Sequence, residues 1–159
     1  MYKLKEIADK VYYVGVNDRQ KALFENMWPL PYGVSYNSYL IVDEKTVLVD
    51  TVDVCYSDIF LKKIADALDG RPLDFLIVNH MEPDHAGSVQ RLLNLSPQLK
   101  IISTACAAGF LKEIVNGEFC SLIVHDNETM KIGEKTLRFL LVPNLHWPDT
   151  MYTFIEEEQ

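Results

Sequence analysis

The chain has 159 residues, a length typical of one domain, so we expect a single domain over residues 1–159. Its 15 basic and 23 acidic side chains leave a net charge of −8, which argues against a nucleic-acid partner because phosphate backbones are bound by basic surfaces. Apolar residues at 48% and charged residues at 24% exclude a mainly disordered chain.

No apolar run approaches the ~20 residues that a transmembrane helix needs, and the first residues lack the apolar stretch of a secretory signal. We therefore expect no membrane partner. Cys55, Cys106 and Cys120 form no C-x-x-C pair. We expect them to be small buried side chains of a cytoplasmic protein, where thiols stay reduced.

The first third of the chain favours antiparallel strands. Aromatic and β-branched residues predict strands at 11–14, 38–42 and 46–49, and the last two flank a short polar hairpin link at 43–45. Residues 23–36 contain Trp28, two prolines and Gly33, which predict an ordered loop instead of a helix.

From residue 57 onward, helical and strand patterns alternate. Ser57 precedes a helical pattern, and the predicted helices are 58–68, 86–95 and 105–115. The predicted strands are 73–78, 99–102, 121–125, 136–142 and 151–155. This order predicts a layered α/β domain with helices on at least one face of a sheet. The last strand leads into the acidic end of the sequence with no closing helix, a pattern expected of a fold cut short.

Two imidazoles and two carboxylates stand within residues 80–85, where a predicted buried strand leads into a helix. Alternate side chains of an extended segment share a face, so His80, Glu82 and Asp84 can converge, and His85 can approach from the turn. Without a cation these carboxylates would repel each other, so the cluster is typical of a metal site. His146 follows another predicted strand and can supply a ligand from a second direction.

Each of these residues also has a purely structural interpretation. Asp84 could cap the helix that follows, His80 could end a strand, and Pro83 could form a turn. His125 is interpreted as a surface residue at a turn. The clustering favours metal binding over these separate roles. Because Glu82 adds oxygen to the donor set, iron or manganese is favoured, while zinc remains an alternative.

Five segments resemble the N-terminal, metallo-β-lactamase-like domain of flavodiiron proteins. They are residues 23–31, 33–40, 50–53, 79–88 and 144–148, and the resemblance extends over essentially the whole chain. It implies an α/β fold, a partial αββα metallo-β-lactamase-like sandwich, with a non-haem diiron centre. Such a centre reduces dioxygen to water or nitric oxide to nitrous oxide.

The resemblance also implies roles for individual residues. The positions matching His80, Glu82 and His146 bind one iron, and those matching Asp84 and His85 belong to the second. Trp147 is expected to line the site, with simple packing beside the histidine ligand as the alternative.

The sequence departs from the family pattern in several ways. We find no counterpart of the flavodoxin-like domain that binds FMN and delivers electrons in a head-to-tail homodimer. The bridging aspartate and the final histidine are also missing, and Asp149 stands too close to His146 to be that bridge. We therefore expect a truncated fragment with a partial or empty diiron site and an unknown redox partner.

Other interpretations stay open at this point. A metal-dependent hydrolase of the metallo-β-lactamase superfamily and a non-catalytic binding module are the alternatives to an oxygen or nitric oxide reductase. Half of a sandwich would leave one sheet face apolar, so we also expect a homo-oligomer in which a second copy covers it.

Overall fold

The structure is a computed structural model that describes residues 4–158. The strands, in chain order, are β1 (Lys5–Ala8), β2 (Val11–Tyr13), β3 (Val16–Asp18), β4 (Leu23–Phe24), β5 (Trp28–Pro29), β6 (Val34–Tyr36), β7 (Tyr39–Val42), β8 (Thr46–Val49), β9 (Phe75–Ile77), β10 (Lys100–Ser103), β11 (Cys120–Ile123), β12 (Thr129–Lys131), β13 (Thr136–Leu141) and β14 (Met151–Ile155). The helices are α1 (Ser57–Leu68), α2 (Pro83–Ala86), α3 (Val89–Leu95) and α4 (Ala105–Ile114).

Seven strands form the central sheet, in the order β1-β2-β7-β8-β9-β10-β11. Neighbours from β1 to β8 pair antiparallel, and neighbours from β8 to β11 pair parallel. Parallel neighbours need crossover connections, and α1, the α2–α3 pair and α4 supply them in turn. The predicted order of antiparallel strands followed by βαβ units is confirmed.

Both faces of the central sheet are buried, because neighbouring residues of a strand point to opposite faces. The face that packs against the helices includes Leu40, Leu48, Leu76 and Ile101. The other face packs against a second sheet, β12-β13-β14, and includes Ile41, Val47, Phe75 and Ile102. The layers are therefore helix, sheet and sheet, as expected for an α/β fold.

Within residues 4–158, none of the helices combines the length and the apolar composition that crossing a bilayer requires.

Some local predictions are wrong. The predicted loop 23–36 contains three short strands, of which β4 pairs with β5 and β6 pairs with β3. Strands of two or three residues are too short to produce a recognisable periodicity. The predicted helix 86–95 is divided at Gly87 and Ser88 into α2 and α3, and α2 already begins at Pro83, because proline suits the first helical turn.

The expectation of buried cysteines is also wrong. Cys55 and Cys120 are exposed, and Cys106 is only partly buried. Cys55 lies in a single 3₁₀ turn, Val54–Tyr56, before α1, and Cys120 lies on β11, the edge strand of the central sheet. A turn and a sheet edge expose side chains that an interior strand would bury.

Asp43 joins the two sheets at the β7–β8 turn. Its buried carboxylate accepts a hydrogen bond from the backbone N–H of Lys135 at 2.9 Å and pairs with the Lys10 ammonium at 3.4 Å. Nearby, the N–H of Lys45 donates to the carbonyl of Ile132 at 2.8 Å. Burial raises the pKa of Asp43, but the N–H groups of Lys135 and Glu44 and the Lys10 charge lower it below its ordinary value of 3.8.

We expect Asp43→Asn to destabilise the protein by about 1–3 kcal/mol at neutral pH, because a hydrogen-bonded buried charge is lost. A pKa that is lowered on folding stabilises the protein above the ordinary pKa, and this contribution disappears as the pH falls through the folded value. The difference between wild type and variant should therefore shrink from about pH 5 to pH 3 in urea unfolding. The exposed neighbour Glu44→Gln is the control, and a pH-independent difference would contradict the assignment.

Candidate metal centre

The candidate site lies at the carboxyl ends of the parallel strands. His80 and Glu82 stand in the segment between β9 and α2, and Asp50 directly follows β8. His146 and Trp147 stand in the connection between β13 and β14, on the second sheet. Parallel α/β sheets place binding groups at this edge, because the loops after neighbouring strands meet there.

His80, Glu82 and His146 form a compact group. Oε2 of Glu82 lies 3.1 Å from Nε2 of His80 and 3.0 Å from Nε2 of His146. The three donor atoms that these residues can offer to a metal ion all lie within 4.8 Å of one another. His80 and Glu82 are buried, whereas the side chain of His146 is 58% exposed. Two of the donors, His80 and Glu82, are therefore held in the buried segment after β9, and the third, His146, lies on the solvent side of the group.

Asp84 and His85 lie beside this group rather than within it. The ring centroids of His80 and His85 are 5.4 Å apart, and Nε2 of His85 lies 3.8 Å from Oδ2 of Asp84. Oδ1 of Asp84 is buried and has no hydrogen-bond partner among residues 4–158. The residue preceding α2 is Glu82, and Asp84 lies within the helix, so the interpretation of Asp84 as a helix cap is wrong.

Two carboxylates that were not predicted support the histidines. Oδ2 of Asp149 lies 3.2 Å from Nδ1 of His80 and accepts a hydrogen bond from the N–H of Met81 at 2.7 Å. Oδ2 of Asp50 lies 3.2 Å from Nδ1 of His85. Carboxylates in this position fix the orientation and tautomer of metal-binding histidines. The sequence signal was weak: each aspartate simply follows or precedes a strand, and its histidine is distant in the chain.

The charges of the site follow from burial and these contacts. Burial raises the pKa of Glu82, but hydrogen bonds with His146 and His80 lower it below the ordinary value, so Glu82 is ionised at neutral pH. Burial is the main reason that the pKa of Asp84 is raised. Burial lowers the pKa of His85, but the hydrogen bond with Asp50 and the negative charges of Asp50, Asp84 and Glu82 together raise it above its ordinary value.

A cation would fit this donor set. Besides Oδ1 of Asp84, Oδ1 of Asp149 is buried without a hydrogen-bond partner among the described residues. Buried carboxylate oxygens normally have hydrogen bonds or bind a cation, since an unpaired buried charge is costly. Imidazole nitrogen and carboxylate oxygen are the donors that iron, manganese and zinc accept in proteins.

A cavity of about 380 Å³ opens onto this group. Its lining residues are Lys21, Phe24, Glu25, Asp53, Glu82, Pro83, Asp84 and Trp147. The ring of Trp147 stands nearly perpendicular to that of His80, with 4.9 Å between the centroids, so Trp147 both lines the cavity and packs on a histidine. His125 is exposed on the loop after β11, as predicted for a surface residue.

Comparison with known proteins gives one family match. The family model described as ODP family beta lactamase matches residues 34–159. Flavo-diiron protein FprA2 of Clostridium acetobutylicum is 40% identical over 156 residues, which are 97% of this chain and 39% of that protein. A nitric oxide reductase of Moorella thermoacetica is 37% identical over 154 residues, which are 96% of this chain and 39% of that protein.

Solved structures give the same result. Rubredoxin oxygen:oxidoreductase from Desulfovibrio gigas aligns with a TM-score of 0.92 at 31% identity, over 98% of this chain and 39% of that chain. The flavodiiron protein from Giardia intestinalis aligns with a TM-score of 0.86 at 33% identity, over 99% of this chain and 38% of that chain. The predicted metallo-β-lactamase-like fold and the flavodiiron resemblance are confirmed. The chain spans about two fifths of the length of these relatives.

Close backbone packing positions the short helix that carries Asp84 and His85. The carbonyl of His85 accepts hydrogen bonds from the N–H of Thr51 at 2.7 Å and from its hydroxyl at 2.8 Å. A Cβ atom on Gly87 would lie 2.5 Å from the carbonyl oxygen of Pro83 and 2.8 Å from the backbone nitrogen of Val54. Only glycine therefore allows the end of α2 to lie this close to the backbone of the segment between β8 and α1.

We expect Gly87→Ala to destabilise the protein by about 1–3 kcal/mol, because backbone atoms would have to move apart. Gly109→Ala is the matched control: it lies within α4, and nothing lies within 4 Å of the added Cβ. Alanine is the better helix former, so this control should be unchanged or more stable by up to about 1 kcal/mol. Urea unfolding measures both variants, and equal stability of the two would contradict the steric interpretation.

Proposed function

Because the chain belongs to the ODP family of beta-lactamase domains, we propose that it is the metal-binding domain of a flavodiiron-type oxidoreductase. Its reaction is the reduction of dioxygen to water or of nitric oxide to nitrous oxide at non-haem iron. The observation that carries the proposal is the group of His80, Glu82 and His146, whose donor atoms lie within 4.8 Å of one another. The names of the relatives, a flavo-diiron protein and a nitric oxide reductase, support the same chemistry.

The donors divide between two ions in this proposal. His80, Glu82 and His146 hold the first, and Asp84 and His85 contribute to the second. The separate position of Asp84 and His85, 3.8 Å from each other and outside the three-residue group, supports this division. When bound, iron supplies electrons to the substrate. The protein holds the ions and keeps the substrate in the cavity that Trp147 and Phe24 line.

Asp149 and Asp50 are positioning residues. With an ion bound, His80 would donate its Nδ1–H to Asp149 and offer the lone pair of Nε2, the atom on the side of Glu82, to the ion. Asp50 makes the corresponding contact with Nδ1 of His85. Both histidines are thereby oriented before any ion binds, so little reorganisation is needed.

A hydrolase is the second candidate, because the matching family model is described as a beta lactamase. In such enzymes a metal-bound hydroxide attacks an acyl or phosphoryl group. The carboxylate of Glu82 in the donor group makes the site oxygen-rich, which favours iron over zinc and the reductase over the hydrolase. A non-catalytic binding module would not need three donors within 4.8 Å.

The electron supply lies outside residues 1–159 in this proposal. Several relatives are described as diflavin flavoproteins, which supports a flavin such as FMN as the donor. The three cysteines are unpaired, which supports a reducing cytoplasm. The organisation as one domain, the homo-oligomer and the identity of the redox partner stay predictions.

We expect the protein to bind ferrous iron and His146→Ala to weaken that binding more than tenfold, since loss of supporting groups alone typically costs about 10–100-fold. Anaerobic titration with metal analysis measures the affinity. His125→Ala is the control, because that histidine is exposed and is not a member of the three-residue group. Stoichiometric zinc with ester hydrolysis and no iron uptake would overturn the proposed function.

The reaction itself is tested on the iron-loaded protein. With a supplied chemical reductant, it should consume dioxygen or nitric oxide faster than the same amount of free ferrous iron, and His146→Ala should abolish the difference. Consumption equal to that of free iron in the wild type would count against a reductase.

We expect Asp149→Asn to lower the iron affinity by about 10–100-fold, because the amide cannot hold His80 as a carboxylate does. The amide oxygen can still accept the N–H of Met81, so the fold should persist, and circular dichroism checks this. Asp69→Asn is the matched control, because Asp69 is the exposed left-handed C-cap of α1, where asparagine is well tolerated. An affinity equal to that of the wild type would refute the positioning role.

A further inference from the structure

Lys21 and Asp53 lie between two cavities. The inner cavity, which opens onto Glu82 and Asp84, is lined by both residues. An outer polar cavity of about 360 Å³ is lined by the same two residues, together with Asp18, Gln20, Tyr36, Cys55 and Tyr56. Nζ of Lys21 is 3.4 Å from Oδ2 of Asp53. This ion pair is therefore part of the wall that the two cavities share.

Hydrogen bonds fix both the backbone and the side-chain ammonium of Lys21. Its backbone N–H donates to Oδ1 of the buried Asp18 at 3.0 Å. Its ammonium donates to the hydroxyl of Tyr36 at 3.2 Å, and that hydroxyl donates in turn to Oδ2 of Asp18 at 3.4 Å. Nζ also lies 5.5 Å from the ring centroid of Tyr36 and 5.9 Å from that of Phe24, within the range of cation–π attraction.

Lys21 is the one basic side chain among the described residues that line the inner cavity. The carboxylates that line it are Glu25, Asp53, Glu82 and Asp84, and Asp18 and Tyr56 face the lysine from the outer side. Burial lowers the pKa of Lys21, but Tyr36 and Asp53 raise it above its ordinary value of 10.5. The ammonium is therefore charged throughout the neutral range.

Reduction in the inner cavity consumes protons. One dioxygen takes four electrons and four protons to give two waters, and two nitric oxide molecules take two electrons and two protons to give nitrous oxide and water. The electrons come from the reductant, a reduced flavin or a chemical equivalent. A metal ligand cannot supply them, because a ligand that carries a proton cannot hold its ion, so a non-ligand acid that reaches the cavity is the efficient source.

We propose that Lys21 is the proton donor of the inner cavity and that it is recharged from the outer one; this assignment rests on the proposed function. The Nζ–H bond breaks, the proton moves to an oxygen of the partly reduced substrate, and the bonding electron pair stays on Nζ as a neutral amine. An acid of the bulk solvent, hydronium or protonated buffer, then returns a proton to Nζ through water in the outer cavity, so each proton consumed is replaced from the solvent. Reduced oxygen atoms are strong bases, so an ammonium is acidic enough to protonate them. Asp53 is the positioning residue that keeps Nζ between the cavities.

Two substitutions separate proton donation from charge. Lys21→Met removes both, whereas Lys21→Arg keeps the charge and the pairing with Asp53 but does not release a proton. Each variant is loaded with iron and mixed with dioxygen and a supplied chemical reductant at about pH 6 to pH 9, and the rate of free ferrous iron with the same reductant is subtracted. Both variants should consume dioxygen about 100-fold more slowly than the wild type. The Lys21→Met rate should also fall as the pH rises, because protons must then come from bulk water.

Arg19→Met is the matched control. Arg19 is an exposed basic residue two positions away on the same loop, and it lines a different cavity with Asn17 and Tyr32. Its rate should equal that of the wild type. If Lys21→Arg reacts as fast as the wild type, charge alone is needed and the assignment is wrong. A wild-type rate in Lys21→Met would also overturn it.

Two readouts do not depend on activity. Iron content and ferrous affinity should not fall in either variant, since Lys21 is no ligand. In the metal-free protein, the ¹⁵N signal of the Lys21 ammonium should vanish in Lys21→Met and move in Asp53→Asn; an unmoved signal would contradict the ion pair.

If the wild type neither holds iron nor reacts faster than free ferrous ion, the proposed function fails. An active wild type with equally active variants overturns only the role of Lys21.

Discussion

Buried negative charge at one end of the central sheet is the constraint on which the site depends. The buried Glu82, Asp50 and Asp149 stand at the carboxyl ends of the strands or in the loop facing them, and the partly buried Asp84 lies beside them in α2. Taking an ionised carboxylate out of water costs several kcal/mol unless partners compensate. Imidazoles and backbone N–H groups compensate in part, but Oδ1 of Asp84 and Oδ1 of Asp149 have no partner among residues 4–158. A bound cation is the simplest compensation. The same carboxylates that lower the stability of the fold would therefore also form the metal site.

The parts of the site that are local in sequence could be predicted, and the parts that depend on distant contacts could not. Alternation along an extended segment brings His80 and Glu82 together as predicted but not Asp84, which lies in α2 beside them, and the strand before His146 brings that histidine to the same place. Asp149 and Asp50 were missed because their partners are 69 and 35 residues away in the chain. Sequence periodicity carries no information about such pairs.

The same distinction applies to the fold. The helix α1 and six of the seven strands of the central sheet, all but β1, were predicted close to their bounds, because apolar and β-branched residues mark each of them in the sequence. The division between α2 and α3 was not, because it accompanies contacts with residues that precede α1 in the chain: Gly87 packs closely beside Val54, and the N–H of Ser88 donates to the hydroxyl of Thr51 at 3.2 Å. Lys21 likewise has no distinguishing neighbours in sequence; its importance arises only where two cavities meet at its ammonium.

The site also connects the two sheets, which links metal affinity to the stability of the fold. His80 and Glu82 directly follow β9 of the central sheet, whereas His146 precedes β14 of the second sheet and is largely exposed. The N–H of Met151 donates to the carbonyl of Asn79 at 3.0 Å, and the hydroxyl of Thr104 donates to the carbonyl of Asp149 at 3.1 Å, so the second sheet is fixed next to the donors. These contacts reduce the conformational entropy that His146 must lose on binding an ion. An ion held by all three residues would stabilise the packing of the sheets in return, because a ligand that binds only the folded state adds its binding free energy to folding. A cation at Glu82 would therefore complete the contact between the sheets as well as the site.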